Sequence, residues 1–234
     1  MNRSSHPRSP VRRRALHAAA LALGTAAVPA AAAATCPSRS GNAHEAERCR
    51  ELELIAARPG VAARRGSRLV LVLDDGRRTV IADRVPRSGG NETEIALHAL
   101  VDVLDAPRLF VVMTSFYEGG ELSLVSRVTG RRWVVRGDAL EVSPDGLRVV
   151  SWSARNGYDD GALEIWRVES DRMTAEFRGE TSAWWPVAVR WVDGATVSFD
   201  RATGDDPDAA RIERRRLVRD DASSPPRWRA GPDR

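Results

Sequence analysis

From residue 68 onward the apolar positions alternate with polar ones in runs of five to nine residues, and glycine-bearing acidic turns separate the runs. RLVLVL and RTVIAD flank Asp74-Asp75-Gly76 and predict a hairpin. RSGGNETE reads as a loop. ALHALVDVL and RLFVVMTSF read as strands split by Asp105-Ala106-Pro107, and ELSLVSRV and RRWVVRG as strands joined at Thr129-Gly130. EVSPDG, LRVVSWSA, ALEIWRVES and MTAEFRG repeat the scheme, and a third copy starts with AWWPVAVRWVDG, ATVSFDRA and ARIERRRLV. Gly120 and Gly161 set the register of the first two copies, 41 residues apart. Leu122 then falls on Leu163, Leu124 on Ile165 and Val125 on Trp166.

Several strands are apolar on both faces. Leu163 and Ile165 point one way and Trp166 and Val168 the other; Trp185, Val187, Val189 and Trp191 share a face. Such strands are sandwiched between layers. The expected fold is all-β: an antiparallel meander of propeller-like blades, forming a small or incomplete β-propeller, with a β-sandwich as the alternative. A four-bladed ring would take its first blade from residues 50–82; an open stack needs no closure. Residues 41–58 fit two patterns, and the reading taken is a short helix capped by Asn42 that passes into a strand at ELELIAA. The polar, proline-rich residues 221–234 read as a fraying tail.

The Ser143-Pro144-Asp145-Gly146 turn and the ALEIWRV strand resemble WD40-like and TolB-like propeller blades. Residues 116–132 (FYEGGELSLVSRVTGRR), 143–168 and 185–199 are similar to a family of exported bacterial proteins of unknown function. The resemblance covers roughly residues 68–200. It implies stacked four-stranded units and says little of activity, because propeller units serve unrelated roles.

The first 34 residues change the charge argument. Five arginines and no acid precede a short alanine-rich apolar run and a small-residue site at Ala32-Ala33-Ala34. That is the pattern of a cleaved signal peptide, so the expected location is periplasmic or secreted. Arg12-Arg13-Arg14 leaves the twin-arginine route open, and Cys36 leaves lipidation open. The whole chain carries +4; without the leader, 31 arginines face 32 acids, a net charge of −1. No global field remains to hold nucleic acid, and no transmembrane segment is expected in the mature chain. Residues 35–67 form an N-terminal segment in which Cys36 and Cys49 are expected to make one disulfide. The β-repeat domain is placed at 68–220.

Catalytic signatures are absent from the sequence. Without its leader the chain keeps only His44 and His98, there is no lysine for a P-loop, and no G-x-S-x-G occurs. His98, among apolar neighbours in EIALHAL, reads as a packed or surface histidine. The acidic turns at Asp74-Asp75, Glu118 to Glu121, Asp159-Asp160 and residues 204–208 are expected on one shared rim, where calcium or a basic partner could bind. The chain is expected to need no cofactor, with calcium the one candidate. Tyr117, Tyr158 and Trp184, with Glu118, Asp159 and Asp160, form the candidate contact surface. The expected function is a non-catalytic envelope binding module for a protein, peptide or glycan. The alternatives are a hydrolase using rim carboxylates and a purely structural component.

Overall fold

The computed structural model describes residues 43–86, 91–154, 161–179, 181–204, 209–223 and 226–231, all within the unit spanning 34–234. The described residues are all-β apart from one α-helix, α1 (Ala43–Ala57), and short 3-10 structure such as Glu92–Glu94. Four antiparallel sheets follow in chain order. The first holds β1 (Ala62–Arg65), β2 (Arg68–Val72) and β3 (Arg78–Ala82). The second holds β4 (Ala96–Leu104), β5 (Leu109–Phe116), β6 (Gly120–Ser126) and β7 (Arg132–Val135). The third holds β8 (Ala139–Val142), β9 (Arg148–Ser153), β10 (Ala162–Val168) and β11 (Met173–Arg178). The fourth holds β12 (Trp185–Asp193), β13 (Thr196–Thr203), β14 (Arg211–Asp220) and β15 (Arg227–Gly231). Every pairing is between strands consecutive in sequence, which is a pure meander.

Each sheet packs on the next through one apolar layer. Leu69, Leu71 and Ile81 of the first sheet meet Leu100, Phe110 and Val112 of the second. Leu122 and Leu124 meet Val149, Trp166 and Met173. Leu163 and Ile165 meet Trp191, Phe199 and Trp228. Strands of the middle sheets are therefore buried on both faces, as their unbroken apolar runs require. The 41-residue register has a direct structural meaning. Leu122 and Leu163 occupy the third strand of their sheets and face the following sheet, while Val125 and Trp166 face the preceding one. Among the described residues no apolar cluster joins the first sheet to the fourth, and none of the sheets closes on itself.

Among the described residues the first sheet lacks its first strand. Leu69 and Leu71 of β2 face forward as Leu122 and Leu124 of β6 do, so β2 is a third strand. The turn contacts agree: Asp74 donates its amide to Arg127 O at the β6–β7 turn, and Ser126 Oγ donates in the same way to Ser170 O at the β10–β11 turn. The place beside β1 and β4 where a first strand would lie is taken by α1.

Two expectations are corrected here. ELELIAA is not a strand: α1 continues to Ala57, because Glu51, Leu54 and Ile55 recur at helical spacing and all three turn inward. The C-terminal residues do not simply fray: β15 pairs with β14, and Trp228 is only 8% exposed and sits edge-on to Trp191. One aromatic ring outweighs the polar composition around it.

Turns repeat as the strands do. At Ser143–Gly146 the Asp145 carboxylate accepts from the Ser143 hydroxyl at 2.6 Å and the Leu147 amide at 3.0 Å. Partial burial pushes the Asp145 carboxyl up, but these hydrogen bonds and Arg148 outweigh it and hold it below the usual carboxylate value. Gly146 lies against Ala106 of the β4–β5 turn, and Gly194 against Asp145, so the three equivalent turns stand side by side.

Candidate functional site

Strand lengths create the site. β2 and β3 have five residues each, whereas β4 and β5 have nine and eight. The second sheet therefore outruns the first. Its covered half is apolar: Leu100, Val103, Phe110, Val112 and Val125. The half beyond is polar: His98, Thr114, Ser123, Glu121 and Arg132 follow at the same-face positions of β4 to β7. His98, Thr114, Glu121 and Arg132 line a cleft of about 340 Å³ with Ala82, Arg84, Ala96 and Phe116.

A chain of hydrogen bonds fixes the cleft chemistry. Arg132 donates from Nε to Ser123 Oγ at 2.8 Å and from Nη2 to Thr114 Oγ1 and Glu121 Oε1, both at 3.2 Å. Thr114 Oγ1 also lies 3.2 Å from His98 Nδ1, within hydrogen-bond distance. Burial holds the imidazole pKa below its ordinary value; the nearby Arg132, Arg64 and Arg48 add to this and Asp83 opposes it. At neutral pH the ring is uncharged. Arg84 donates Nε to Glu94 O, which anchors its guanidinium at the opposite wall.

Under the cleft lies a buried ionic network that α1 brings to the bare edge of β4. Glu51, wholly buried, accepts from Arg64 Nε at 2.7 Å, Arg48 Nη1 at 3.3 Å and the Leu100 amide at 2.7 Å. Asp83 accepts from Arg48 Nη2 and from the His98 amide, both at 2.8 Å. Arg64 Nη2 donates to His98 O at 2.6 Å. Side chains thus satisfy the backbone groups of β4 that a neighbouring strand would otherwise hold. Burial and Arg48 also lower the pKa of His44 on α1, against opposing contributions from Glu47 and Asp83.

Among the described residues singled out from sequence, Trp184 does not share a patch with Tyr117 and Glu118. Tyr117 and Glu118 are exposed at the β5–β6 turn, beside Phe116 at the lip of the cleft. Tyr158, Asp159 and Asp160 lie outside the described residues. Trp184 is half-buried, stacked on Phe199 at 5.5 Å with Arg201 over its ring, two sheets away from Tyr117. The shared acidic rim is also corrected. Asp74 is bound by Arg108 and Arg127 in the β4–β5 and β6–β7 turns, at the far end of β5 from Tyr117. The cause is the missing first strand, which turns the β2–β3 hairpin to the other end. Among the described residues no group of three His, Cys, Asp or Glu is placed to hold a metal ion. Cys49 lies on α1, and Cys36 is outside the described residues.

Sequence reasoning missed the cleft. His98 was legible as a packed histidine, but Arg84, Thr114 and Arg132 are separated from it by 14 to 34 positions and carry no motif. A larger cavity of about 480 Å³ opens between the third and fourth sheets, lined by Arg148, Arg167, Arg219, Asp145 and Glu169. Its arginines are paired as Arg132 is with Glu121, namely Arg148 with Glu176, Arg167 with Glu169 and Arg219 with Asp221, and none of its described lining residues is aromatic. No helix among the described residues is long and apolar enough to cross a membrane. Comparison of the chain with family models, with curated proteins and with solved structures finds no match.

Proposed function

We propose that this chain is a non-catalytic binding module of the bacterial envelope, and that its ligand is a carboxylate-bearing glycan fragment held in the cleft between the first two sheets. The observation that carries the reading is the set of polar groups around that cleft: the Arg84 and Arg132 guanidinium groups, the second also paired with Glu121, and a neutral imidazole, with Phe116 in the lining and the exposed Tyr117 next to it in the chain. A planar carboxylate matches the guanidinium fork, and a sugar ring matches an aromatic face. The cleft suits binding better than turnover. Thr114 is buried and hydrogen-bonded to Arg132, and among the described residues no carboxylate is hydrogen-bonded to the His98 ring to orient a base. Export through the N-terminal leader and kinship with blade-repeat envelope proteins belong to the same reading.

The test is a thermal-melt titration of the full chain under oxidising conditions. Uronic-acid oligosaccharides, their neutral counterparts, envelope peptides and calcium would be compared. A ligand at one hundred times its Kd stabilises the native state by about 2.7 kcal/mol. The expected result is a shift with the acidic sugars alone, lost in Arg132→Ala and reduced in Tyr117→Ala. A shift with neutral sugars of equal size, or one untouched by Arg132→Ala, would move the site elsewhere.

A further inference from the structure

The two end sheets each leave one face uncovered by another sheet, and the two faces differ. On the fourth sheet two outward arginines are matched by acids, Arg214 with Asp200 at 3.1 Å and Arg229 with Asp220 at 2.9 Å, while the outward Arg190 and Arg227 are in no ion pair among the described residues. On the first sheet none is so matched. Leu69, Leu71 and Ile81 point inward, so the alternation of β1 to β3 turns Arg65, Arg68, Arg78, Val70, Val72 and Val80 outward. Among the described residues none of these three arginines reaches a carboxylate. Arg65 and Arg68 are directly opposite each other in the β1–β2 register. Like charges so placed destabilise a sheet. Between the arginines, Val70 and Val80 form a cross-strand pair, and Val80 is 54% exposed.

We propose that the outward face of the first sheet docks an acidic protein partner, one that presents carboxylates around an apolar ridge. The uncompensated arginines demand negative charge, and the valine centre demands something that buries carbon. A second copy of this chain is disfavoured at this face, because two such faces would bring six arginines together with no acid. A polyanion would satisfy the arginines and leave the valines unused. This surface is separate from the cleft and does not depend on its ligand.

The experiment is fluorescence anisotropy of the full chain, oxidised, with three probes: a labelled ten-residue peptide alternating glutamate and valine, the same peptide with lysine for glutamate, and a sulfated polysaccharide. Saturable binding of the glutamate peptide alone is expected, weakening as salt shortens the screening length from about 10 Å at 0.1 M to about 3 Å at 1 M. Arg68→Glu places an acid opposite Arg65. It should raise the melting temperature while weakening the peptide at least about fivefold, a combination a merely structural pair would not give. Val80→Thr should weaken the peptide and leave any polysaccharide binding alone. The proposal is overturned if the lysine peptide binds as well, if Arg68→Glu leaves binding unchanged, or if the polysaccharide binds as tightly as the peptide and Val80→Thr affects neither.

Discussion

The junction between the first and second sheets and the junction between the third and fourth solve one packing problem with different materials. At the later junction Trp191, Phe199, Trp228, Leu163 and Ile165 fill the gap, and polar groups appear as tethers: Trp191 Nε1 to Glu141 O at 3.0 Å and Trp228 Nε1 to Glu176 at 3.1 Å. At the earlier junction the apolar layer covers half of the facing surface. The inner edge is closed by α1 with Glu51, Arg64, Asp83 and Arg48. The repeat sheets are held by area. The first sheet is held by area on one side and by charge geometry on the other. A cleft with free hydrogen-bonding capacity arises at the charge-held junction.

Changing the charge network should break this contrast most sharply. Glu51→Leu would leave Arg64, itself 7% exposed at its side chain, buried without its main partner. The expected loss is about 3–5 kcal/mol in urea-induced unfolding. A loss below about 1 kcal/mol would mean that α1 is held by Leu54 and Ile55 rather than by charge. At the later junction the equivalent test is apolar: Leu163→Ala should cost about 2–5 kcal/mol. Unfolding followed both at Trp191 and at a probe on α1 would show whether the two junctions melt together.

Backbone approach gives the next effect. Gly137 has φ near +115° and would place a Cβ 2.5 Å from Trp152 O. Gly137→Ala should cost about 1–3 kcal/mol by calorimetry, and a neutral result would show that the β7–β8 link relaxes. Smaller again is the contrast between equivalent turns. Asp145 accepts from two groups and faces Arg148, whereas Asp193 accepts from the Ala195 amide. Asp145→Ala should cost about 1 kcal/mol by analogy with a lost cap, and Asp193→Ala less.

The smallest effect is the pH dependence of the first junction. His98 and His44 both have folded pKa values below the ordinary 6.5. Between the lowered value and 6.5 the unfolded chain binds more protons than the folded one, so stability rises with pH in that window. Their contribution is complete above pH 6.5 and is lost as pH falls below it. His98→Gln should flatten the melting-temperature slope between pH 7 and 5. An unchanged slope in that variant would assign the effect to His44 or to carboxylates.

Much of the repeat region is legible in the sequence because its signals are local. Alternation sets which side chains point inward, and Pro144-Asp145-Gly146 and Val192-Asp193-Gly194 mark the equivalent turns. Trp166 and Trp191 read as core and are core. The misreadings fall where two local patterns compete or where a distant partner decides. ELELIAA suits a strand as well as a helix until Glu51 meets the Leu100 amide. Trp184 sits next to a loop but finds Phe199. Trp228 lies in a polar tail but finds Trp191. The cleft was not legible because its walls come from strands of unequal length, and sequence shows no such mismatch before the strands are paired.

Taken alone, the sequence determined the strand periods, the turn positions, the two-faced burial of the middle strands and the lack of catalytic motifs. Each follows from residue type and spacing within a dozen positions. Only the tertiary structure decided that a helix stands in the place of the first strand, which end of the sheets each acidic turn occupies, and that His98, Thr114 and Arg132 share a cleft with Arg84. Those outcomes depend on which edge is left unpaired after every local preference is met, and a backbone edge buried without partners must be satisfied by whatever side chains the rest of the chain can bring to it.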